Sequence, residues 1–205
     1  MTKQSVPSAA TAPLTLMDLL DSRENRVNHQ KDLLEQYPGS TLVSMTLNIP
    51  GPVKDRPEYR KALETGLHRL KAMLKKETFL HEEARMLPTG PEGYLVIGNS
   101  NPAWEHTTES LAVEIKKAAI AAEEADALGR LFDMDVLVIH DEAKPGESGH
   151  FSLTDIRSIS RSQLGGKPRQ CLLCGEDAKA CARSRAHSMD DLLQKINEIL
   201  SDAGL

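Results

Sequence analysis

The sequence predicts an α+β fold. It reads as a split βαβ sheet (strand-helix-strand-strand-helix-strand) with both helices on one face, followed by a C-terminal Cys/Arg-rich extension and a final helix. Three observations predict this. Val43, Met45, Leu47 and Ile49 alternate with Ser44, Thr46 and Asn48, the pattern of a half-buried strand. Two helical periodicities follow, at residues 57–76 and about 104–126. Between and after them stand "FLHEEARML", "GYLVIG" and "LGRLFDMDVLVI", each of strand length and bounded by turn or polar residues.

The elements follow in order. Residues 1–13 read as a disordered tail. A helix then begins at a capping box, Thr15 with Asp18, carries Leu16, Leu19, Leu20, Val27 and Leu34, and stops at Pro38-Gly39. The helix from Pro57 has Asp55 available as cap, Pro57 in its first turn, and a stripe of Tyr59, Leu63, Leu67, Leu70 and Leu74. "PTGPEG" joins the next two strands as a turn. The Ala-rich helix from about Trp104 to Asp126 turns Leu111, Ile115, Ala118, Ala119 and Ala122 toward the core. After His140 the chain becomes polar, "FSLTDIRSIS" offers one more short strand, and "SMDDLLQKINEILSD" forms the last helix with Ser188 as cap.

A length of 205 residues suits one domain, with residues 14–140 as an α+β catalytic core and 141–205 as an extension packed on it within the same domain. The start of the chain lacks the apolar run of a signal peptide, and no apolar stretch approaches the roughly 18 residues of a membrane span. The expected location is therefore cytoplasmic, without a membrane partner. The net charge of −5 and the scarcity of aromatics speak against nucleic acid as a partner. That average hides a local field. From Arg157 to His187, seven lysines and arginines face two acids. Such a segment either grips phosphate or is a solvated loop balancing nearby acids.

In "LFDMDVLV", Asp133 and Asp135 stand two residues apart and so share one face of a strand, together with Leu131, Leu137 and Ile139. Phe132, Met134, Val136 and Val138 line the other face. Two carboxylates about 7 Å apart at Cα repel each other. Mg²⁺ held by both, with a substrate's phosphates completing the shell, resolves the repulsion. The alternative is an edge strand with both acids in water.

"CLLCGEDAKACARSRAH" spaces Cys171, Cys174, Cys181 and His187 as C-x₂-C-x₆-C-x₅-H. A structural Zn²⁺ site, ordinary buried thiols and a redox pair are all compatible with that spacing. Arg183 and Arg185, together with Arg157, Arg161, Lys167 and Arg169, can grip phosphate or diphosphate through hydrogen bonds, and Lys54 stands at a helix entrance that either binds an anion or is only a turn. His29, His68, His81, His106, His140 and His150 show no partner pattern.

Several stretches together carry a likeness: "LLDSRENRVNHQKDLL", "NIPGPVKD", "GPEG", "LGRLFDMDVL" and "RQCLLCGEDAKACARSRAHS". In their order and spacing the chain resembles the apo-citrate lyase phosphoribosyl-dephospho-CoA transferases. The resemblance implies a nucleotidyltransferase-type reaction. The donor would be 2′-(5″-triphosphoribosyl)-3′-dephospho-CoA, the acceptor a serine of the apo-citrate lyase acyl-carrier (gamma) subunit, and the leaving group diphosphate. On that view Asp133 and Asp135 are catalytic through Mg²⁺, and Arg130, Arg161, Arg183, Arg185 and Lys54 hold the donor. The glycine-serine pair that many nucleotidyltransferases carry upstream of their acids is missing, since Gly129-Arg130 lies too close to Asp133. Two other functions remain open at the level of sequence: a zinc-stabilised binding module for RNA or an acidic protein, and a metal-dependent nucleotidyltransferase with another acceptor.

Overall fold

The computed structural model describes residues 14–98, 108–140, 143–146 and 149–205. The expected tail and the start of the Ala-rich helix at Trp104 lie outside the described residues. In chain order the elements are α1 (Leu16–Gln36), β1 (Thr41–Leu47), α2 (Pro57–Met73), β2 (Thr78–Leu87), β3 (Gly90–Gly98), α3 (Thr108–Glu124), β4 (Phe132–Ile139), β5 (Ile156–Ser158), α4 (Ala178–Ser184) and α5 (Met189–Asp202). The fold is α+β, with one five-stranded sheet ordered β2-β3-β1-β4-β5 and every neighbouring pair antiparallel.

Local chemistry sets the element ends. The Thr15 hydroxyl accepts from the Asp18 amide at 3.1 Å, and the Thr15 amide donates to the Asp18 carboxylate at 2.7 Å, the reciprocal bonds of a capping box. Ser188 caps α5 by accepting from the Asp191 amide at 3.0 Å. Asp55 does not cap α2. Its cap residue is Arg56, without a side-chain bond, and the Asp55 carboxylate is taken by Arg60 at 2.7 Å. The turn between β2 and β3 is tighter than expected, because Pro91-Glu92 belong to β3 and only Pro88 and Thr89 remain outside the strands.

The sheet has two unlike faces. On one, Val43 and Met45 of β1, Leu95 and Ile97 of β3, and Phe132, Met134, Val136 and Val138 of β4 pack against Leu63, Leu67 and Leu70 of α2 and Ile115 and Ala119 of α3. Ile196, Ile199 and Leu200 of α5 join the same cluster. The opposite face carries a smaller cluster in which Leu33 and Leu34 of α1 cover Leu42, Tyr94, Val96 and Leu137. Leu131 leaves the strand pattern: it ends a 3₁₀ turn, Leu128–Leu131, and is buried in the main core instead of sharing the face of the aspartates.

Candidate active site and a cysteine-histidine cluster

Asp133 and Asp135 project from β4 on the α1 side of the sheet, on the parity of Leu137, and pair in register with Thr46 and Ser44 of β1. α1 covers the centre of this face, where Gln30 donates to the Ser44 hydroxyl at 2.8 Å, but leaves Asp135 exposed. Asp135 is reached by water yet crowded by surrounding protein. Burial pushes its carboxyl up, and the neighbouring Asp133 charge pushes it further. Lys116, Arg169 and Arg26 act in the opposite direction.

β4 is an interior strand along only part of its length. β5 pairs with Leu137, Val138 and Ile139, leaving the edge at residues 132–135 without a strand partner among the described residues. Side chains satisfy it. The Glu123 carboxylate accepts from the Met134 amide at 2.9 Å, Lys116 donates to the Met134 carbonyl at 2.7 Å, and Arg169 donates to the Phe132 carbonyl at 2.8 Å. Glu123 is 4 % exposed and also receives Arg161 at 2.6 Å and Arg169 at 2.5 Å. The same Arg169 nitrogen lies 3.0 Å from Asp133. The edge is sealed by charged side chains that also surround the two aspartates.

Beside this cluster lies a cavity of about 930 Å³ whose lining includes Asn48, Glu123, Arg130, Arg161, Lys167, Arg169 and Arg185. Three of the five expected donor-binding residues, Arg130, Arg161 and Arg185, therefore meet at one place. Arg130 donates to the Cys171 carbonyl at 2.6 Å, and Arg161 is paired with both Glu123 and Glu124. Arg183 and Lys54 do not line it. Arg183 points to solvent from α4, and the half-buried Lys54 is bonded to the Ile49 carbonyl. Burial lowers the Lys54 pKa, and the nearby Arg23 charge adds to this.

Cys171, Cys174, Cys181 and His187 converge, with their ligand atoms all within 4.8 Å of one another. Reasoning from sequence missed Lys116 and Glu123 at the β4 edge, where it had counted Arg169 only among the phosphate-gripping cations, and it missed Arg26 of α1, whose guanidinium faces Glu92 at 3.6 Å and is felt by Asp135. A signal was present for two of them: Ala112, Lys116, Ala119 and Glu123 lie on one helical stripe, so two charges share a buried face. It also missed carboxylate partners for His29, His81, His140 and His150. His29 lies between Glu83 at 2.8 Å and Arg85 at 3.0 Å, and His150 meets Glu35 at 2.9 Å.

An α+β sheet that sets two carboxylates on one strand among guanidiniums, beside a cation-rich cavity, defines a class of protein suited to binding a polyanionic ligand. The family model described as apo-citrate lyase phosphoribosyl-dephospho-CoA transferase matches residues 14–203, and the chain belongs to that family. A probable apo-citrate lyase phosphoribosyl-dephospho-CoA transferase of Streptococcus pyogenes serotype M5 is 35 % identical over 188 residues, covering 91 % of this chain and 85 % of that protein. The apo-citrate lyase phosphoribosyl-dephospho-CoA transferase of Escherichia coli O157:H7 is 32 % identical over 191 residues, covering 92 % and 90 %. Protein CitXG of Leuconostoc mesenteroides subsp. cremoris is 31 % identical over 188 residues, which make up 91 % of this chain but only 35 % of that protein.

Proposed function

We propose that this chain is the transferase that loads apo-citrate lyase with its prosthetic group. The donor is 2′-(5″-triphosphoribosyl)-3′-dephospho-CoA and the acceptor is a serine on the acyl-carrier subunit. The serine oxygen attacks the phosphorus nearest the ribose, the bond from that phosphorus to the diphosphate breaks, and the hydroxyl proton is released. A phosphodiester and free diphosphate result. Family membership supports this reading, and the alternatives of a binding module or another acceptor have no comparable support.

The observation that carries the site is the placement of Asp133 and Asp135 side by side, with Arg169 at 3.0 Å from one and the other open to solvent. Their donor set suits Mg²⁺: two hard carboxylate oxygens, with phosphate and water left to complete the shell. Asp133 and Asp135 would hold the ion, which would supply neutralisation of the charge developing at the phosphorus. The chain's own cations act on the remainder of the donor. Arg169 bridges the aspartates and the cavity, and Lys167 and Arg185, which make no ion pair among the described residues, stand free for phosphate. We also read the sheet as the split βαβ arrangement with residues 141–205 as an extension folded on it. The cytoplasm, where cysteines stay reduced, is the expected location.

The test incubates the protein with apo acyl-carrier subunit, the triphosphoribosyl donor and Mg²⁺, and reads the intact mass of the carrier. The expected gain equals the donor minus diphosphate. A carrier of unchanged mass, with both proteins folded, would sink the assignment.

A further inference from the structure

We propose that Cys171, Cys174, Cys181 and His187 bind one structural Zn²⁺, and that this ion holds the arginine-bearing wall of the cavity. The Cys174 sulfur lies 3.4 Å from the Cys181 sulfur and 3.2 Å from His187 Nε2. Tetrahedral Zn²⁺, with bonds of about 2.3 Å to sulfur and about 2.0 Å to nitrogen, sets neighbouring ligand atoms roughly 3.5–3.8 Å apart. A disulfide needs about 2.05 Å and would account neither for the third thiol nor for the imidazole on the same sulfur.

The backbone is shaped for the same purpose. Between Cys171 and Glu176 the chain folds into a tight knuckle: the Cys171 amide donates to the Glu176 carbonyl at 2.6 Å, and the Gly175 amide returns to the Cys171 carbonyl at 3.3 Å. Gly175 supplies the left-handed residue the turn requires, with φ +77°. The four ligands come from three pieces of chain: the knuckle, α4, and the residue preceding the Ser188 cap of α5. α4 is seven residues long and buries none of them. A helix that short has little stability of its own, so a contact other than apolar packing must hold it. An ion with ligands on either side of it does so.

Four protein ligands close the coordination shell, which is the pattern of a structural rather than a catalytic zinc. Its effect reaches the cavity through the backbone. Arg130 is bonded to the Cys171 carbonyl, the Arg169 carbonyl accepts from the Ala178 amide at 2.8 Å, and Arg185 is the left-handed residue that ends α4. Losing the ion would loosen the backbone to which all three are attached.

The test is independent of transfer activity. Protein purified without chelator in reducing buffer is expected to contain about one equivalent of zinc by elemental mass spectrometry. Stripping it should raise hydrogen exchange in residues 170–188 while leaving the β1–β3 amides protected. Cys174→Ser and His187→Ala should each reduce the zinc content severalfold, and should Cys174→Ser fail to fold, reconstitution of the stripped native chain reads the same site. Less than about a tenth of an equivalent in the native protein with no uptake of added Zn²⁺, full retention of zinc in both variants, or a Cys174–Cys181 disulfide in the reduced preparation would each overturn the proposal.

Discussion

The Arg169 guanidinium lies 3.0 Å from the Asp133 carboxylate. The nitrogen that makes this contact also bonds the buried Glu123, and a second nitrogen reaches the Phe132 carbonyl. One side chain therefore ties a sheet edge, a core carboxylate and a half-buried acid into a single unit, reaching 46 residues along the chain to Glu123.

Arg169→Ala should destabilise the fold. It leaves Glu123 with one guanidinium in place of two and the Phe132 carbonyl without a donor. Removing one partner of a buried pair costs about 3–5 kcal/mol. Arg161 remains on Glu123, so a loss of about 2–3 kcal/mol is expected here, read from urea unfolding. Arg169→Lys keeps one charge but not the fork, and should lose less. An alanine variant as stable as the native chain would mean that the edge bonds contribute nothing.

Asp133→Asn and Asp135→Asn should both abolish transfer to the carrier, yet differ in stability. The Asp135 pKa is raised in the folded state, so ionisation opposes folding. The cost is absent well below the unfolded value near 3.9, grows as pH rises toward the folded value, and is fully present above it. Asp135→Asn should then melt at or above the native temperature at pH 7, with the difference vanishing below about pH 4. Asp133→Asn surrenders the Arg169 contact and should show no such gain. Thermal scans at pH 3.5, 5 and 7 separate the two. Near-normal transfer by either variant would remove that residue from metal binding.

The charges around Asp135 make a titration prediction. Lys116 is buried, its pKa lowered first by that burial, and its ammonium favours the ionised form of Asp135. Lys116→Met keeps the stem and removes the charge, so the Asp135 pKa should rise further. Asp133→Asn removes a like charge and should lower it. Carbonyl-carbon NMR titration of the Asp135 side chain reads both. Shifts of the same sign in the two variants would refute the electrostatic account.

What was legible in the sequence was local. The caps at Thr15 and Ser188, Pro57 at a helix start, the face shared by Asp133 and Asp135, and the convergence of three cysteines with His187 all depend on spacing within a single element or a short loop. Asp55, which fitted equally well by spacing, failed as a cap because its carboxylate is taken by Arg60, five residues on. Contacts between distant segments left no periodic trace. Arg130 bonding the Cys171 carbonyl spans 41 residues, and Arg26 approaches the β4 acids only because α1 crosses the sheet. Lys116 and Glu123 were hidden for a different reason: an alanine-rich helix reads as uniformly small, and a charge on its buried stripe looks like a solvated one.

Gly129 illustrates a residue whose role is steric. "LGRL" places it just before the aspartate strand. Here it lets the 3₁₀ turn pass against the end of α3: a Cβ at Gly129 would stand 2.5 Å from the Ala122 carbonyl oxygen and 2.7 Å from that of Glu123. Both are backbone atoms and cannot rotate away. The Gly129 amide is at the same time fixed to Asp126 at 2.8 Å, and Asp126 is held by Arg69 at 2.6 Å, so the turn has little freedom to retreat. Gly129→Ala should accordingly destabilise by about 2–3 kcal/mol, the upper range for overpacking, by forcing the turn off α3. Because Glu123 seals the β4 edge, the displacement should also expose the Met134 amide to exchange. Hydrogen exchange in β4 alongside urea unfolding checks this, and an alanine variant with native stability and an unchanged Met134 amide would show that the turn can shift without cost.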